Sequence, residues 1–381
     1  MTAGAGHRRA AEAIAQAIHA AHPQAEIECG DLLEEVPGWL RRGYPKSYYL
    51  LVRHLSLLWA IAFDVLDHPL AYALIRPVRR AWNLLVARRF IRRLRANPPD
   101  LVITTHFFST DVLSACKQAG WLAAPLVVVV TDLHPHRLWL TPQAEAYVVG
   151  SEESASVARR GGIAQDRLHV LGIPIRRAFH ARYDREALMR LFQLEPGRRT
   201  VLVTGGGNTV GPFETVVRAL ISLGRARPEQ MQLLVVCGDN AAAVKRLTAL
   251  AHRAAIPVRV FGFIETMPEA MALSDLIVTK AGGLTLTEAL GCGVPLLIYH
   301  VIPGQERLNA VYASRHGAAI IAQRPQEVAD AVQRLLDAPD RLATMREAAR
   351  AIGHPHAAEA IVSEVVMPLL QRSPQRVNSE E

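Results

Sequence analysis

Cysteine is scarce in this 381-residue chain: Cys29, Cys116, Cys237 and Cys292 stand far apart, with neither a CxxC pair nor the spacing of a zinc site. That excludes a disulfide scaffold and fits a reduced, cytoplasmic setting. Long hydrophobic runs are missing too. The most apolar stretches, Leu55 to Phe63 and Leu126 to Val130, fall far short of the ~20 residues that span a bilayer, and no signal peptide opens the sequence. An integral membrane protein is therefore not expected. No Asp-x-Asp pair is present to hold a metal, and no short repeat or low-complexity tract interrupts the chain.

What is there is ordinary for a globular enzyme, with half the residues apolar and a fifth charged. The length suits two α/β domains of roughly 150 to 200 residues each. The net charge of +8 is uneven: between Arg41 and Arg95 twelve Lys or Arg face only Asp64 and Asp67, whereas residues 181–381 carry 22 basic and 20 acidic groups. Residues 39–95 hold Trp39, Tyr44, Tyr48, Tyr49, Trp59, Tyr72 and Trp82 among leucines. Amphipathic aromatics settle at the headgroup level and arginines attract anionic lipid, so Trp39, Tyr48, Trp59, Arg79, Arg80, Arg88 and Arg89 are expected to dock on a membrane surface. Nucleic acid is not the expected partner, because no recognised binding motif or stacking platform accompanies the charge.

Short β-branched runs alternate with helical patterns, which argues for βα units and parallel sheets. The runs in the first half are Ala25 to Cys29, Leu101 to Thr105, Leu126 to Val130, Ala146 to Val149 and Leu168 to Leu171. Those in the second are Thr200 to Thr204, Gln232 to Cys237, Val258 to Phe261, Leu276 to Thr279 and Pro295 to Tyr299. The expected domains are residues 1–171 and 185–355, joined by a linker over 172–184, with a helix over 356–371 packing back on the first domain and a frayed tail over 372–381. Only three residues precede Gly4, so either the chain starts further upstream or its first strand is reduced to a stub.

Three glycine-rich turns follow this pattern. Gly4-Ala5-Gly6-His7 leads into an alanine-rich helix over Ala10 to Ala20, which places His7 near a helix N-terminus. There the imidazole stays neutral, the form a general base needs. Thr204-Gly205-Gly206-Gly207-Asn208 lies between the run Val201 to Val203 and a helix over Pro212 to Leu223, an order that lets backbone N–H groups approach a phosphate. Lys280-Ala281-Gly282-Gly283-Leu284-Thr285 repeats that order before a helix starting near Thr285, and its spacing sets Gly283, Thr285 and Glu288 around one nucleotide, with Glu288 suited to a ribose diol. The loop Pro303-Gly304-Gln305-Glu306-Arg307-Leu308-Asn309 offers amide and carboxylate partners for sugar hydroxyls. His134 and His136 have no nearby Cys or Glu, and no metal site is read there.

In order, Gly-Ala-Gly-His7, Asp132-Leu-His-Pro-His-Arg-Leu-Trp139, Gly-Gly-Gly-Asn208, Phe261-Gly-Phe263 with Met267, Lys280-Ala-Gly-Gly-Leu-Thr with Glu288, and Pro-Gly-Gln-Glu306 with Asn309 resemble the diacylglycerol glycosyltransferases of glycosyltransferase family 28. The resemblance implies a GT-B fold, two Rossmann-like doubly wound parallel-sheet domains with an interdomain cleft. It implies inverting transfer of glucose or galactose from UDP-glucose or UDP-galactose to diacylglycerol, on the inner face of the cell membrane. Carried over by motif, Gly206 and Asn208 line the phosphates, Phe263 the uracil, Glu288 the ribose, and Gln305 with Glu306 the sugar. His7 is then the base; Asp132 is the alternative base or a group orienting His7. Lys280 and Arg176 are candidates for meeting the leaving diphosphate, so that no metal or other cofactor is expected. The rival readings are a UDP-N-acetylglucosamine-dependent lipid glycosyltransferase, a UDP-sugar epimerase of the same fold, and a non-catalytic UDP-sugar sensor.

Overall fold

Alternation of buried apolar side chains along short parallel strands, with helices on both faces, organises the computed structural model, which describes residues 5–43, 56–206, 211–302 and 304–372, with the backbone alone at 5 and 56–60. Gly4, Tyr44, Tyr48, Tyr49, Gly207, Asn208 and Pro303 lie outside the described residues, as does the tail after Arg372. The chain divides into two compact units, Met1–Arg176 with His356–Glu381, and Arg177–Pro355.

Unit 1 opens with helix α1 (Ala5–Ala21), rich in alanine and so a strong helix former. After it come α2 (Ser56–Asp67), α3 (Pro69–Val86), α4 (Arg88–Ala96), β1 (Val102–Thr104), α5 (Phe107–Gln118), β2 (Leu126–Val129), β3 (Ala146–Val149), α6 (Glu152–Arg160) and β4 (Leu168–Val170). The sheet runs β1-β2-β3-β4, all parallel, with Val102 opposite Leu126, Val127 opposite Ala146 and Tyr147 opposite Leu168. Successive side chains take opposite faces. Leu126, Val128, Val130, Tyr147 and Val149 pack with Val112, Leu113 and Cys116 of α5. Val127, Val129, Ala146 and Val148 pack on the other face with Ile14 of α1 and with Ile361, Val365 and Val366 of the helical segment that ends the described chain.

The expected strand Ala25 to Cys29 is not formed; these residues are irregular and mostly exposed. A strand needs a neighbour to satisfy its backbone groups, and among the described residues the outer edge of β1 pairs with no strand. Glu28 is instead drawn to Arg93 of α4.

Unit 2 contains α7 (Arg185–Phe192), β5 (Arg199–Thr204), α8 (Phe213–Ala226), β6 (Met231–Val236), α9 (Ala241–Ala251), β7 (Val258–Phe261), α10 (Met267–Leu273), β8 (Leu276–Lys280), α11 (Gly283–Gly291), β9 (Leu296–His300), α12 (Gln305–Arg315), β10 (Ala319–Ile321), α13 (Pro325–Asp337) and α14 (Pro339–Ile352). Its parallel sheet has the order β10-β9-β8-β5-β6-β7. The chain builds outward from β5 to β7, returns, and builds the other way from β8, so β5 and β8 flank the switch point where doubly wound sheets bind ligands. Strand β10, three residues long, extends the sheet beyond the sequence expectation. Among the described residues no helix is long and apolar enough to cross a membrane.

Candidate active site

At the switch point the loops after β5 and β8 converge on one another. Gly206 sits at φ +71°, and a Cβ there would stand 3.3 Å from Lys280 Cε. Gly282, the N-cap of α11, also faces that side chain: its Cβ would lie 3.3 Å from Lys280 Nζ and 3.9 Å from Glu306 Oε1. With a Cβ at either turn the lysine would have to give way by a few tenths of an ångström. The Lys280 ammonium donates to Glu306 Oε1 at 2.5 Å, while the Ile302 N–H reaches the other carboxylate oxygen at 3.4 Å. Helix α11 starts at Gly283, two residues before the expected Thr285, so the unpaired N–H groups of its first turn stand beside this pair.

Glu288 is buried on α11 and Asn309 is buried on α12, whereas Gln305 and Thr285 are half-buried. Phe263, on the turn after β7, is 57% exposed and presents a free ring. Arg176 is the last residue of unit 1 and half-buried. His300, which no sequence pattern singled out, ends β9 beside Gly211; with φ +85°, a Cβ on that glycine would come within 2.7 Å of the His300 Cγ. Burial lowers the His300 pKa, against an upward pull from Glu306.

In unit 1, His7 lies in the first turn of α1, against the carboxyl ends of β1 and β2. Its Nδ1 is 2.9 Å from the Thr105 carbonyl and 2.6 Å from Thr131 Oγ1, and Thr105 Oγ1 donates to the His7 carbonyl at 2.8 Å. A carbonyl only accepts, so the tautomer that satisfies the Thr105 contact carries its proton on Nδ1 and its lone pair on Nε2. Burial pushes the His7 pKa down to about 4, and the ring is neutral at pH 7. The His106 ring meets it edge-on at 4.6 Å; His106 caps α5, with Nδ1 accepting from the Phe108 N–H at 3.0 Å. Asp132 is buried nearby, and its Oδ2 accepts from Trp139 Nε1 at 3.3 Å. Burial raises Asp132 to about 7, with the Trp139 hydrogen bond opposing. Thr105, His106 and Thr131 escaped the sequence reading; their only signal was their place just past a strand's carboxyl end.

Residues 7–175 match the monogalactosyldiacylglycerol (MGDG) synthase family, and residues 200–361 match the glycosyltransferase family 28 C-terminal domain. A probable monogalactosyldiacylglycerol synthase 2, chloroplastic, from Oryza sativa subsp. japonica is 32% identical over 87% of this chain and 71% of its own length. The chain belongs to the MGDG synthase family of family 28 glycosyltransferases. A processive diacylglycerol beta-glucosyltransferase from Bacillus cytotoxicus is 28% identical over 95% of this chain and 91% of its own. Among solved structures, Acinetobacter baumannii MurG has a TM-score of 0.54 at 19% identity, covering 76% of this chain and 78% of that one. S. aureus MnaA with UDP has a TM-score of 0.57 at 17% identity, covering 79% and 83%. These likenesses speak for the fold, which is GT-B.

In this family 28 chain the basic aromatic segment divides into two kinds of residue. Leu70, Leu74, Val78, Trp82 and Leu85 recur at helical spacing along α3 and are all exposed, Leu74 to 79%. Ile61 and Val65 of α2 are exposed as well, and the Trp39 ring lies 6.0 Å from that of Trp82. The side chain of Trp59 is outside the described atoms. Arg88 and Arg89 point to solvent on α4, as does Arg92. Arg80 is half-buried. Arg79 points inward and donates to Asp111 Oδ1 at 2.9 Å and to the Tyr72 hydroxyl at 3.1 Å, while Asn83 Nδ2 donates to Asp111 Oδ2 at 2.7 Å. Helix α2 is tied to the Asp132 loop: a His136 ring N–H meets the Phe63 carbonyl at 2.9 Å, and the Arg137 N–H donates to Asp67 Oδ1 at 2.8 Å.

Proposed function

We propose that the chain moves glucose or galactose, with inversion, from a UDP-sugar to diacylglycerol at the cytoplasmic face of an anionic membrane. The observation that carries the reading is the commitment of the His7 Nδ1–H to the Thr105 carbonyl, which leaves Nε2 as the acceptor of a hydroxyl proton. The acceptor oxygen attacks the anomeric carbon as its proton passes to Nε2. The bond from that carbon to the UDP oxygen breaks on the opposite side, and UDP leaves as the anion.

Unit 2 holds the donor. The turns at Gly206 and Gly282 admit the diphosphate, and the N-terminus of α11 with Lys280 meets its growing charge. Lys280 is paired with Glu306, so binding of the donor redirects the ammonium to phosphate and frees Glu306 for a sugar hydroxyl. Glu288 meets the ribose, Phe263 the uracil, and Gln305 and Asn309 add polar contacts. The reaction runs without a metal, and full activity in excess EDTA is the expected outcome. The apolar stripe on α3 enters the lipid surface, with Arg88 and Arg89 at the headgroups.

A panel of radiolabelled UDP-glucose, UDP-galactose and UDP-N-acetylglucosamine against diacylglycerol vesicles, with the lipid products separated, tests the proposal. Labelled glycolipid from one of the first two is expected, and none after His7→Ala, with UDP affinity near normal. No glycolipid from any donor would refute it. One observation favours a second base: with a pKa of about 7, buried Asp132 is poised for proton transfer at neutral pH.

A further inference from the structure

Asp275 lies at the amino ends of β5 and β8, the length of a strand from the glycine turns, about 16 to 20 Å away. Its carboxylate is buried and accepts from the Thr200 N–H at 2.8 Å. Three guanidinium groups crowd the same carboxylate. Arg199 Nη1 is 3.3 Å away, Arg185 Nη2 3.5 Å and Arg346 Nη2 3.5 Å. These contacts are long beside the roughly 2.7 to 2.9 Å of a well-made charge-assisted hydrogen bond.

Here three cations share one anion, and each guanidinium has five N–H donors. Arg185 places one more of them on the Leu273 carbonyl at 3.1 Å, and Arg346 Nη2 also reaches the Asp275 carbonyl at 3.5 Å. Burial lowers the Arg346 pKa; the pull of Asp275 opposes it, and Arg350, Arg185 and Arg199 add smaller downward pushes. Arg185 and Arg199 keep 47% and 50% of their side chains open to solvent. A ligand that restores balance carries about two negative charges on several acceptor oxygens and suits planar, forked donors, as a phosphate monoester does.

We propose that Arg185, Arg199 and Arg346 form a second anion site, for a phosphomonoester group, distinct from the donor loops. In calorimetry on the full chain, with UDP saturating the donor turns, inorganic phosphate should bind saturably. Arg185→Gln with Arg199→Gln should weaken that binding at least tenfold. Asp275→Asn, which keeps an oxygen for the Thr200 N–H but removes the competing charge, should tighten it. A staple predicts no such gain.

A parallel arm compares flotation with vesicles bearing phosphomonoester or phosphodiester headgroups. Loss of retention in the double arginine variant on the former alone assigns the group to a lipid, and unchanged retention beside arginine-dependent phosphate binding assigns it to a soluble phosphate. Absence of arginine dependence in both arms, with the variants' melting temperatures intact, would overturn the site. The readout is binding, so the result stands whether or not the chain transfers sugar.

Discussion

The pH dependence of turnover separates the two candidate bases, because their environments push them in opposite directions. His7 is lowered to about 4 and Asp132 raised to about 7, both chiefly by burial, which disfavours the charged form of each. A base works unprotonated, so the rate is lost as pH falls through the pKa of whichever group serves. A base of pKa about 4 remains about 97% unprotonated at about pH 5.5, and the rate barely changes from about pH 8 downward. A base of pKa about 7 goes from about 91% to about 3% unprotonated over the same interval, a fall of about 30-fold. A UDP-sugar has no ionisation in this range, since both phosphates are esterified, so the donor adds no limb of its own. The assay is kcat/KM for diacylglycerol in vesicles, which reports the free enzyme. The expected profile is flat to about pH 5, with His7→Ala lowering the rate about 10² to 10⁴-fold and Asp132→Asn, which still accepts from Trp139, changing it only a few-fold. A 30-fold acid limb that disappears in Asp132→Asn would refute His7 as the base.

The remaining predictions concern binding and stability. Glu288→Gln should weaken UDP about 10 to 100-fold in calorimetry, the loss of hydrogen bonds to a charged acceptor. Gly211→Ala places a methyl against the His300 ring at a φ of +85° and should destabilise unit 2 by about 1 to 3 kcal/mol, read as a fall in melting temperature. Asp111→Ala strands the Arg79 and Asn83 donors at a buried site and should cost about 3 kcal/mol. Leu74→Glu with Val78→Glu should abolish vesicle flotation while UDP affinity and melting temperature hold.

Most strands were legible because a β-branched run between two helical patterns, buried on both faces, has only one reading. Val201 to Val203 and Val127 to Val129 are of this kind, and all six side chains are buried. The failures have a different cause. Ala25 to Cys29 alternates like a strand, yet pairing is a tertiary property, and the segment stays irregular with Glu28 drawn to Arg93. Ala319–Ile321 is too short to carry a period of its own, and it becomes β10 because the exposed edge of β9 receives it. In the site, the glycines announced their turns, but nothing local joins Lys280 to Glu306 or His7 to Thr131. Those contacts exist because parallel strands bring their carboxyl ends together whatever their separation along the chain.

The basic segment shows how a charge count can mislead about mechanism. The sequence expectation rests the dock on aromatics and arginines together, but Arg79 is turned to Asp111, and Arg93 is occupied by Glu28 and Glu35. The exposed Arg41, Arg42, Arg88, Arg89, Arg92 and Arg95 offer at most about 6 kcal/mol toward an anionic surface, and salt screens it. Against that stand five apolar side chains on one face of α3, about half to four-fifths exposed. At about 1 to 2 kcal/mol each on entering lipid, they are worth about 5 to 10 kcal/mol together, with no dependence on salt. Only the hydrophobic part is indifferent to salt, so flotation should survive high ionic strength, and there replacing Arg88, Arg89 and Arg92 should matter less than replacing Leu74 and Val78. The arginines then choose the surface on which the leucines settle, and the Phe63 and Asp67 contacts to His136 and Arg137 join that surface to the loop that carries Asp132.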